Sequence, residues 1–163
     1  MLIFLSKFTK NLKKIEIKKI LILKKSFWKF SYKSQFKYFE KNIFQNDVHN
    51  MVYFEKKLVG YTLLRKRKLK KKYLIFDTLI IDKNFRKKKI ARKLMKLNME
   101  IIKKNNCKTI LICEKRLIDF YKKFKWKLNN RFSNKKVLMT ANKKYKPIKF
   151  QDFLDIKETK RFF

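Results

Sequence analysis

The sequence predicts an α/β fold in which helices cover both faces of a mixed β-sheet. Two observations lead to this class. Tyr73–Ile81 is a nearly continuous apolar segment with β-branched residues, which is typical of a strand buried on both faces. The apolar residues that follow recur at spacings of three and four, which predicts a helix from about Lys89 to Lys104, and Thr109–Cys113 is then a second buried strand. Because a helix joins these two strands, they are expected to run parallel in a right-handed crossover.

Upstream of this crossover, the same periodicities predict further elements. Residues 14–23 begin with alternating polar and apolar side chains, which predicts a first strand that leads into a helix. Aromatic residues at helical spacings in 24–44 predict one or two amphipathic helices. His49–Glu55 and Leu58–Arg65 resemble strands and are close enough in sequence to form a hairpin. The basic run Arg65–Lys72 is expected to be a solvated connection.

Downstream of the crossover, the pair Asn105-Asn106 is expected to end the long helix, since Asn tolerates the left-handed conformation of a C-terminal cap. Leu117–Phe124 carries its apolar residues on one helical face. Trp126–Leu128 and Lys136–Ala141 are predicted to be the last two strands. The tail at 146–163 is not assigned to any element.

The composition excludes several classes of protein. With 45% apolar residues, the 163-residue chain can form one folded domain that spans residues 1–163. One glycine cannot provide the fingerprint of a Rossmann fold or a P-loop. Two cysteines and one histidine cannot supply the four ligands of a structural zinc site, so no metal is expected. Lysine interrupts the apolar runs, so no membrane segment is expected, and the few cysteines fit a cytoplasmic location.

The chain is strongly basic, with 48 Lys and Arg residues against 12 Asp and Glu and a formal net charge of +36. The basic residues are spread along the whole chain, and Lys outnumbers Arg, whereas recognition of phosphates and bases favours Arg. A lysine-rich codon bias therefore explains the charge better than a nucleic-acid partner does. A basic RNA- or ribosome-associated protein that uses the run at 65–72 remains an alternative.

Two segments on either side of the second buried strand have recognisable motifs. Ile81–Leu94 leads from the end of a buried strand through Arg-x-x-Lys-x-Ala into a helix, and Phe120–Trp126 has the sequence FYKKFKW. In their order and spacing, these segments resemble motifs A and B of the GCN5-related N-acetyltransferase (GNAT) superfamily. The resemblance covers a motif-bearing core at about 49–141. It implies a three-layer αβα sandwich with a mixed, mostly antiparallel sheet of six to seven strands.

The loop that enters the long helix is a candidate anion site. A helix N-terminus leaves backbone N–H groups without intrahelical partners and carries about half a positive charge, so it suits a diphosphate. The resemblance implies that this loop binds acetyl-CoA as a co-substrate, while the main chain of the preceding strand pairs with the pantetheine arm. The cofactor-binding residues are then Leu79, Ile80, Ile81, Arg86, Lys87, Lys88, Lys89, Ile90, Ala91 and Arg92.

Three positions depart from the family pattern. Lys89 replaces the first glycine of motif A, Lys125 replaces the glycine of motif B, and Glu114 replaces an Asn that contacts the pantetheine. A lysine in the left-handed conformation costs about 1–2 kcal/mol. We therefore expect either a negative φ at Lys89 or weaker binding of the cofactor.

The resemblance also implies a reaction, the transfer of an acetyl group from acetyl-CoA to a primary amine by direct attack in a ternary complex. Asp77 lies where many members carry a Glu and is the candidate base for the amine proton. Tyr121 of motif B is the candidate acid that protonates the departing thiolate. His49 is expected to pack or cap rather than to catalyse.

The partner is expected to be a small-molecule amine or a protein amine, and the protein a monomer or a homodimer. A CoA-binding module of the same fold without catalysis remains the second alternative.

Overall fold

A computed structural model of the chain describes residues 1–68, 72–131 and 133–141. Within these ranges the chain forms seven β-strands and four α-helices. In chain order they are β1 (Leu2–Phe8), α1 (Lys14–Lys25), α2 (Tyr32–Asn42), β2 (Val48–Phe54), β3 (Lys57–Lys68), β4 (Lys72–Ile81), α3 (Ile90–Asn105), β5 (Lys108–Glu114), α4 (Ile118–Lys122), β6 (Lys127–Arg131) and β7 (Lys136–Ala141).

The seven strands belong to one sheet, in the order β1-β2-β3-β4-β5-β7-β6. Antiparallel pairs form between β1 and β2, β2 and β3, β5 and β7, and β6 and β7. The sheet is mixed and mostly antiparallel, which confirms the predicted αβα class and the upper of the two expected strand counts. The unassigned tail at 146–163 and residues 69–71 of the basic run lie outside the described residues.

The chain divides into two compact units. The first comprises Met1–Lys66 and Phe76–Ile101, and the second comprises Arg67–Ile75 and the described residues of Ile102–Phe163. The candidate diphosphate loop and Asp77 belong to the first unit, whereas Tyr121 belongs to the second.

The described residues of the first unit include two apolar clusters. One joins α1 and α2 to strand residues that include Tyr61 and Ile80. The other joins Ile90 and Leu94 of α3 to strand residues that include Val59. Strands β3 and β4 contribute residues to both clusters, so helices pack on both faces of these strands, as the continuous apolar sequence of β4 predicts.

The predicted strand within 14–23 is wrong, because all of these residues belong to α1 and the first strand, β1, lies earlier in the chain. The polar–apolar alternation there is short, and beyond it Ile20 and Leu21 continue a helical spacing and are fully buried. The helix start is also capped, since the backbone N–H of Lys13 donates to the Glu16 carboxylate at 2.8 Å.

The basic run Arg65–Lys72 is not wholly the solvated connection that its charge predicts. Strand β3 extends into it, and Arg65 and Arg67 are only 1% and 9% exposed. Burial of the Arg65 guanidinium is compensated by polar partners: it donates a hydrogen bond to the carbonyl oxygen of Asn42 at 2.9 Å. Arg65 therefore belongs to the interior of the protein, although its charge predicts a solvent-exposed position.

The other predicted elements are confirmed, with ends that differ by a few residues. They include the β2–β3 hairpin, β4, α3 and β5. Asn106 follows α3 with φ of 42°, the left-handed cap that the sequence predicts. Among the helices of the described ranges, none is long and apolar enough to cross a membrane.

Candidate functional site

Asp82 anchors the start of the loop between β4 and α3. Its carboxylate accepts a hydrogen bond from the N–H of Asn84 at 3.0 Å and forms an ion pair with Lys57 Nζ at 2.9 Å. The N–H of Asp82 donates to the carbonyl oxygen of Val59 at 2.8 Å. The hydrogen bond from Lys57 holds the pKa of Asp82 below its usual value, although partial burial opposes the change. The loop therefore leaves the sheet from a fixed point.

Two lysines in this loop have a left-handed backbone conformation, with φ of 63° at Lys87 and 58° at Lys89. The negative φ that was one of our two expectations for Lys89 is therefore wrong. Left-handed residues in a turn can direct successive N–H groups to one side, which makes a concave site for anions. Because this conformation costs about 1–2 kcal/mol for a residue with a Cβ, the surrounding structure must maintain it.

Helix α3 begins directly after these lysines. The N–H of Lys93 donates to the carbonyl oxygen of Lys89 at 3.2 Å, so the N–H groups of the three residues between them belong to the first turn. The positive end of the helix dipole therefore lies at the loop. Ile90 is buried in the core. The five cationic side chains around the loop are exposed; they are Arg86, Lys87, Lys88, Lys89 and Arg92.

Gly60 allows β3 to approach both ends of the loop closely. A Cβ at Gly60 would lie 3.2 Å from Cγ2 of Ile90 and 3.3 Å from Cδ1 of Ile81, which is tighter than most real contacts. Ile81 ends β4 and Ile90 begins α3. The side chains of Leu79 and Ile81 pack in the α3 cluster, and that of Ile80 packs in the α1–α2 cluster. The side chains of these three predicted residues thus belong to the apolar clusters, with Ile80 buried and Leu79 and Ile81 half-buried.

Asp77, the candidate base, lies next to a buried arginine. Its Oδ2 is 3.9 Å from Nη1 of Arg65. Arg65 also donates from Nη1 to Tyr38 Oη at 3.4 Å and from Nη2 to the carbonyl oxygen of Asn42 at 2.9 Å. These bonds to α2 fix the orientation of the guanidinium. Asp77 therefore has a positive charge of fixed position beside it.

Lys24 brings a second positive charge close to Asp77 and Arg65. Its Nζ lies 5.5 Å from the ring centroids of both Trp28 and Tyr38. Burial lowers the pKa of Lys24; the charge of Asp77 opposes this change, and that of Arg65 adds to it. One carboxylate therefore interacts with two cations in this part of the first unit.

His49 is fully buried in the same unit. Its Nδ1 is 2.8 Å from Tyr61 Oη, and its Nε2 is 2.8 Å from Thr9 Oγ1. Burial, together with the charge of Lys24, lowers the pKa of His49 to about 3, so the ring is neutral near neutral pH. Its contacts are those of a packed, hydrogen-bonded histidine, as the sequence indicates.

Tyr121, the candidate acid, lies on α4 in the second unit and is 6% exposed. Its ring packs edge-on against Phe120 and Trp126, with centroid distances of 5.2 and 6.3 Å. Burial raises the pKa of Tyr121 well above its usual value, and an ionised Cys113 would raise it further. The phenol is therefore protonated near neutral pH and is a weaker acid than an exposed tyrosine.

The two departures from the family pattern in the second unit have different outcomes. Lys125, in the place of the motif B glycine, has φ of 65° and thus keeps a glycine-like conformation. Glu114 forms an ion pair with Arg116, whose hydrogen bond lowers the pKa of the Glu114 carboxyl. This carboxylate is therefore already engaged by a neighbouring cation.

Sequence reasoning missed Lys24, Tyr38 and Arg65 as members of the group around Asp77. For Arg65 a signal was present, because strand alternation places it on the same face as the apolar Tyr61. For the other two no local signal exists, since their contacts join distant segments of the chain. In the described ranges, no group of three or more His, Cys, Asp or Glu residues could hold a metal ion.

Comparisons with known proteins identify the class to which this fold and loop belong. Residues 17–126 match the model of the acetyltransferase (GNAT) family. The match covers more than half of the chain, and the chain belongs to this family. Among curated protein sequences, none matches significantly.

Solved structures with the same fold are similar over nearly the whole chain. ElaA from Escherichia coli has 16% identity and a TM-score of 0.72, over 87% of this chain and 100% of that one. An acyl-CoA N-acyltransferase from Pseudomonas aeruginosa has 12% identity and a TM-score of 0.75, over 87% and 100%. Naa50 from Arabidopsis thaliana, in complex with the bisubstrate analogue CoA-Ac-MVNAL, has 18% identity and a TM-score of 0.65, over 85% and 98%. At these identities the similarity establishes the fold.

Proposed function

We propose that the chain is a single acyl-CoA N-acyltransferase domain that transfers an acetyl group from acetyl-CoA to a primary amine by direct attack in a ternary complex. The observation that carries this proposal is the pair of left-handed residues, Lys87 and Lys89, at the entry to α3. Strained backbone of this kind clusters at functional sites. At a helix N-terminus it suits a diphosphate, because N–H groups and the helix dipole both favour negative charge.

The residues of the first unit fit the parts of acetyl-CoA. The N–H groups at the start of α3 would hold the diphosphate, with Arg86 and its neighbouring lysines around it. The main chain of Leu79–Ile81 would pair with the pantetheine arm, since the side chains of this segment are directed into the two apolar clusters. Acetyl-CoA supplies the thioester that the amine attacks.

Two side chains would move the protons. Asp77 would take the proton of the amine as its nitrogen bonds to the acetyl carbon and the carbon–sulfur bond breaks. Tyr121 would donate a proton to the departing sulfur, since its phenol carries a proton at neutral pH. Arg65 would orient the Asp77 carboxylate.

The amine can belong to a small molecule or to a protein. The bisubstrate analogue bound to Naa50 joins CoA to a peptide, which supports a protein amine as one class of acceptor for the fold. The choice between the two classes would depend on the side chains near Asp77.

One observation favours a second candidate function, a CoA-binding module without catalysis. Glu114 replaces the family's Asn and is paired with Arg116, so its carboxylate cannot serve as an amide donor to the pantetheine. Such a module would bind acetyl-CoA through the same loop and release no CoA thiol in the presence of amines.

The test compares two glutamate substitutions on α3. Ala91→Glu puts a carboxylate in the first turn, where it favours the helix but repels a diphosphate. Lys96→Glu, at an exposed position of the same helix, is the control. It lowers the net charge by two units, against one for Ala91→Glu, so it also tests whether overall charge alone abolishes the Tm shift. We expect acetyl-CoA to raise the Tm of the wild type and of Lys96→Glu but not of Ala91→Glu.

Thiol release over a panel of amines then separates the two functions. Release with the wild type supports the transferase, whereas a Tm shift without release supports the module. An equal Tm shift in Ala91→Glu would contradict the diphosphate site.

A further inference from the structure

Arg65 and Lys24 both interact with the carboxylate of Asp77. Asp77 is 3.9 Å from Nη1 of Arg65, and this pair alone is neutral. Lys24 adds a further positive charge beside Tyr38, which itself accepts a hydrogen bond from Arg65. The charges that act on the Lys24 ammonium are thus those of one carboxylate and one guanidinium, and Lys24 shares Asp77 with Arg65.

Only one of the two cations is open to a ligand. The side chain of Arg65 is 1% exposed and is bonded to α2, so it contributes a field but no contact surface. Lys24 is half-buried, near the end of α1, with its Nζ 5.5 Å from the ring centroids of Trp28 and Tyr38. Trp28 is 39% exposed and provides an apolar surface beside the ammonium group.

We propose that Lys24 selects acceptor amines that carry a carboxylate close to the amine, such as the N-terminus of an acidic peptide. This inference rests on the proposed function, in which the amine meets Asp77. The carboxylate of the acceptor would pair with Lys24 Nζ, and its carbon chain would pack against Trp28. A polyamine or a lysine-rich peptide would instead bring a second cation close to the ammonium group of Lys24, which repels it.

The experiment uses two peptides that differ only at the second residue, which is Glu in one and Lys in the other. With the wild type we expect kcat/KM for the Glu peptide to exceed that for the Lys peptide about tenfold. This is the size of effect expected when a partly screened ammonium group attracts one peptide and repels the other. Lys24→Gln should bring the ratio close to one, and Lys24→Met should do the same. Lys24→Glu should invert it.

Lys25→Gln is the matched control, because Lys25 is the exposed neighbour on the same helix and the change in net charge is identical. It should keep the wild-type ratio, and all variants should keep the wild-type KM for acetyl-CoA. A ratio in Lys24→Gln and Lys24→Met equal to that of the wild type would overturn the proposal, since the charge of the whole chain would then set the preference. A preference for the Lys peptide in the wild type would overturn it as well.

Failure of the proposed function would give a different result from failure of the role proposed for Lys24. If neither peptide is acetylated by the wild type or any variant, and a panel of other amines releases no CoA thiol, the transferase itself is refuted. Transfer without the preference refutes only the role of Lys24.

Discussion

Lys89 and Lys125 share the left-handed backbone conformation, with φ of 58° and 65°. Both stand where motifs of the GNAT family carry glycine, the first before α3 and the second before Trp126. A side chain with a Cβ disfavours this conformation by about 1–2 kcal/mol relative to the right-handed one. The chain therefore keeps the backbone geometry of two glycine positions although both glycines have been replaced.

Restoring glycine at either position should stabilise the protein. Lys89→Gly removes the steric strain, and the greater entropy of glycine in the unfolded chain offsets part of this gain. We expect the free energy of unfolding to rise by about 0.5–1 kcal/mol, and the same for Lys125→Gly. Urea denaturation measures the change.

Two controls separate backbone strain from the loss of charge. Lys89→Ala removes the charge but keeps the Cβ, and should not produce the gain. Lys88→Gly changes a loop lysine outside the left-handed set and should destabilise by the usual cost of glycine. Destabilisation by Lys89→Gly would mean that the lysine side chain, rather than the backbone, determines the stability of this loop.

The hydroxyl of Tyr121 should matter for turnover but little for affinity. Tyr121→Phe keeps the aromatic packing against Phe120 and Trp126 and removes only the proton donor. We expect kcat to fall by about 10²–10⁴-fold, with the Kd for acetyl-CoA within twofold of the wild type. Tyr53→Phe, at a buried tyrosine of the first unit, is the control. An unchanged kcat in Tyr121→Phe would exclude this residue as the acid.

Local sequence patterns are sufficient to predict the two elements on either side of the loop between β4 and α3. Strand β4 and helix α3 follow from uninterrupted periodicities, and the cap at Asn106 follows from its tolerance of positive φ. The left-handed conformation of Lys87 has no such signal, because lysine is common in many conformations. The close approach of Ile81 and Ile90 to Gly60 at the two ends of the loop joins distant segments, and the sequence of the loop itself does not reveal it.

The group around Asp77 depends on contacts between distant segments. Lys24, Tyr38 and Arg65 come from α1, α2 and β3, and in the sequence each resembles many other basic or aromatic residues. In a chain with 48 Lys and Arg residues, charge alone does not distinguish the few that are buried. Their roles become visible only from the burial and the hydrogen bonds of the folded chain.

A buried amide network should contribute strongly to the stability of the first unit. Asn98 on α3 donates to Thr62 Oγ1 at 2.8 Å and to the carbonyl oxygen of Leu94 at 2.7 Å, and it accepts from Asn50 Nδ2 at 2.9 Å. Asn98→Ala leaves these buried groups without their partner, so we expect a loss of about 2–4 kcal/mol. Thermal or urea unfolding measures it.

A double-mutant cycle tests whether this network is cooperative. Thr62→Val removes the hydroxyl that Asn98 binds while keeping the side-chain shape. Because the two residues share a hydrogen bond, the combined loss should be smaller than the sum of the single losses by about 1 kcal/mol. Strictly additive losses would mean that the bond between these two side chains contributes nothing of its own.

Because the imidazole of His49 is buried, the free energy of unfolding should depend on pH. This dependence should extend to pH values above those at which carboxylates titrate. Its pKa is about 3 in the folded protein, against about 6.5 when unfolded, so the unfolded chain binds more protons between these values. The stabilising contribution is complete above pH 6.5 and is lost as the pH falls, by about 2 kcal/mol between pH 7 and 5. His49→Gln can still hydrogen-bond Tyr61 and does not titrate. Urea unfolding at several pH values should show a shallower dependence in this variant, and equal slopes would refute the assignment.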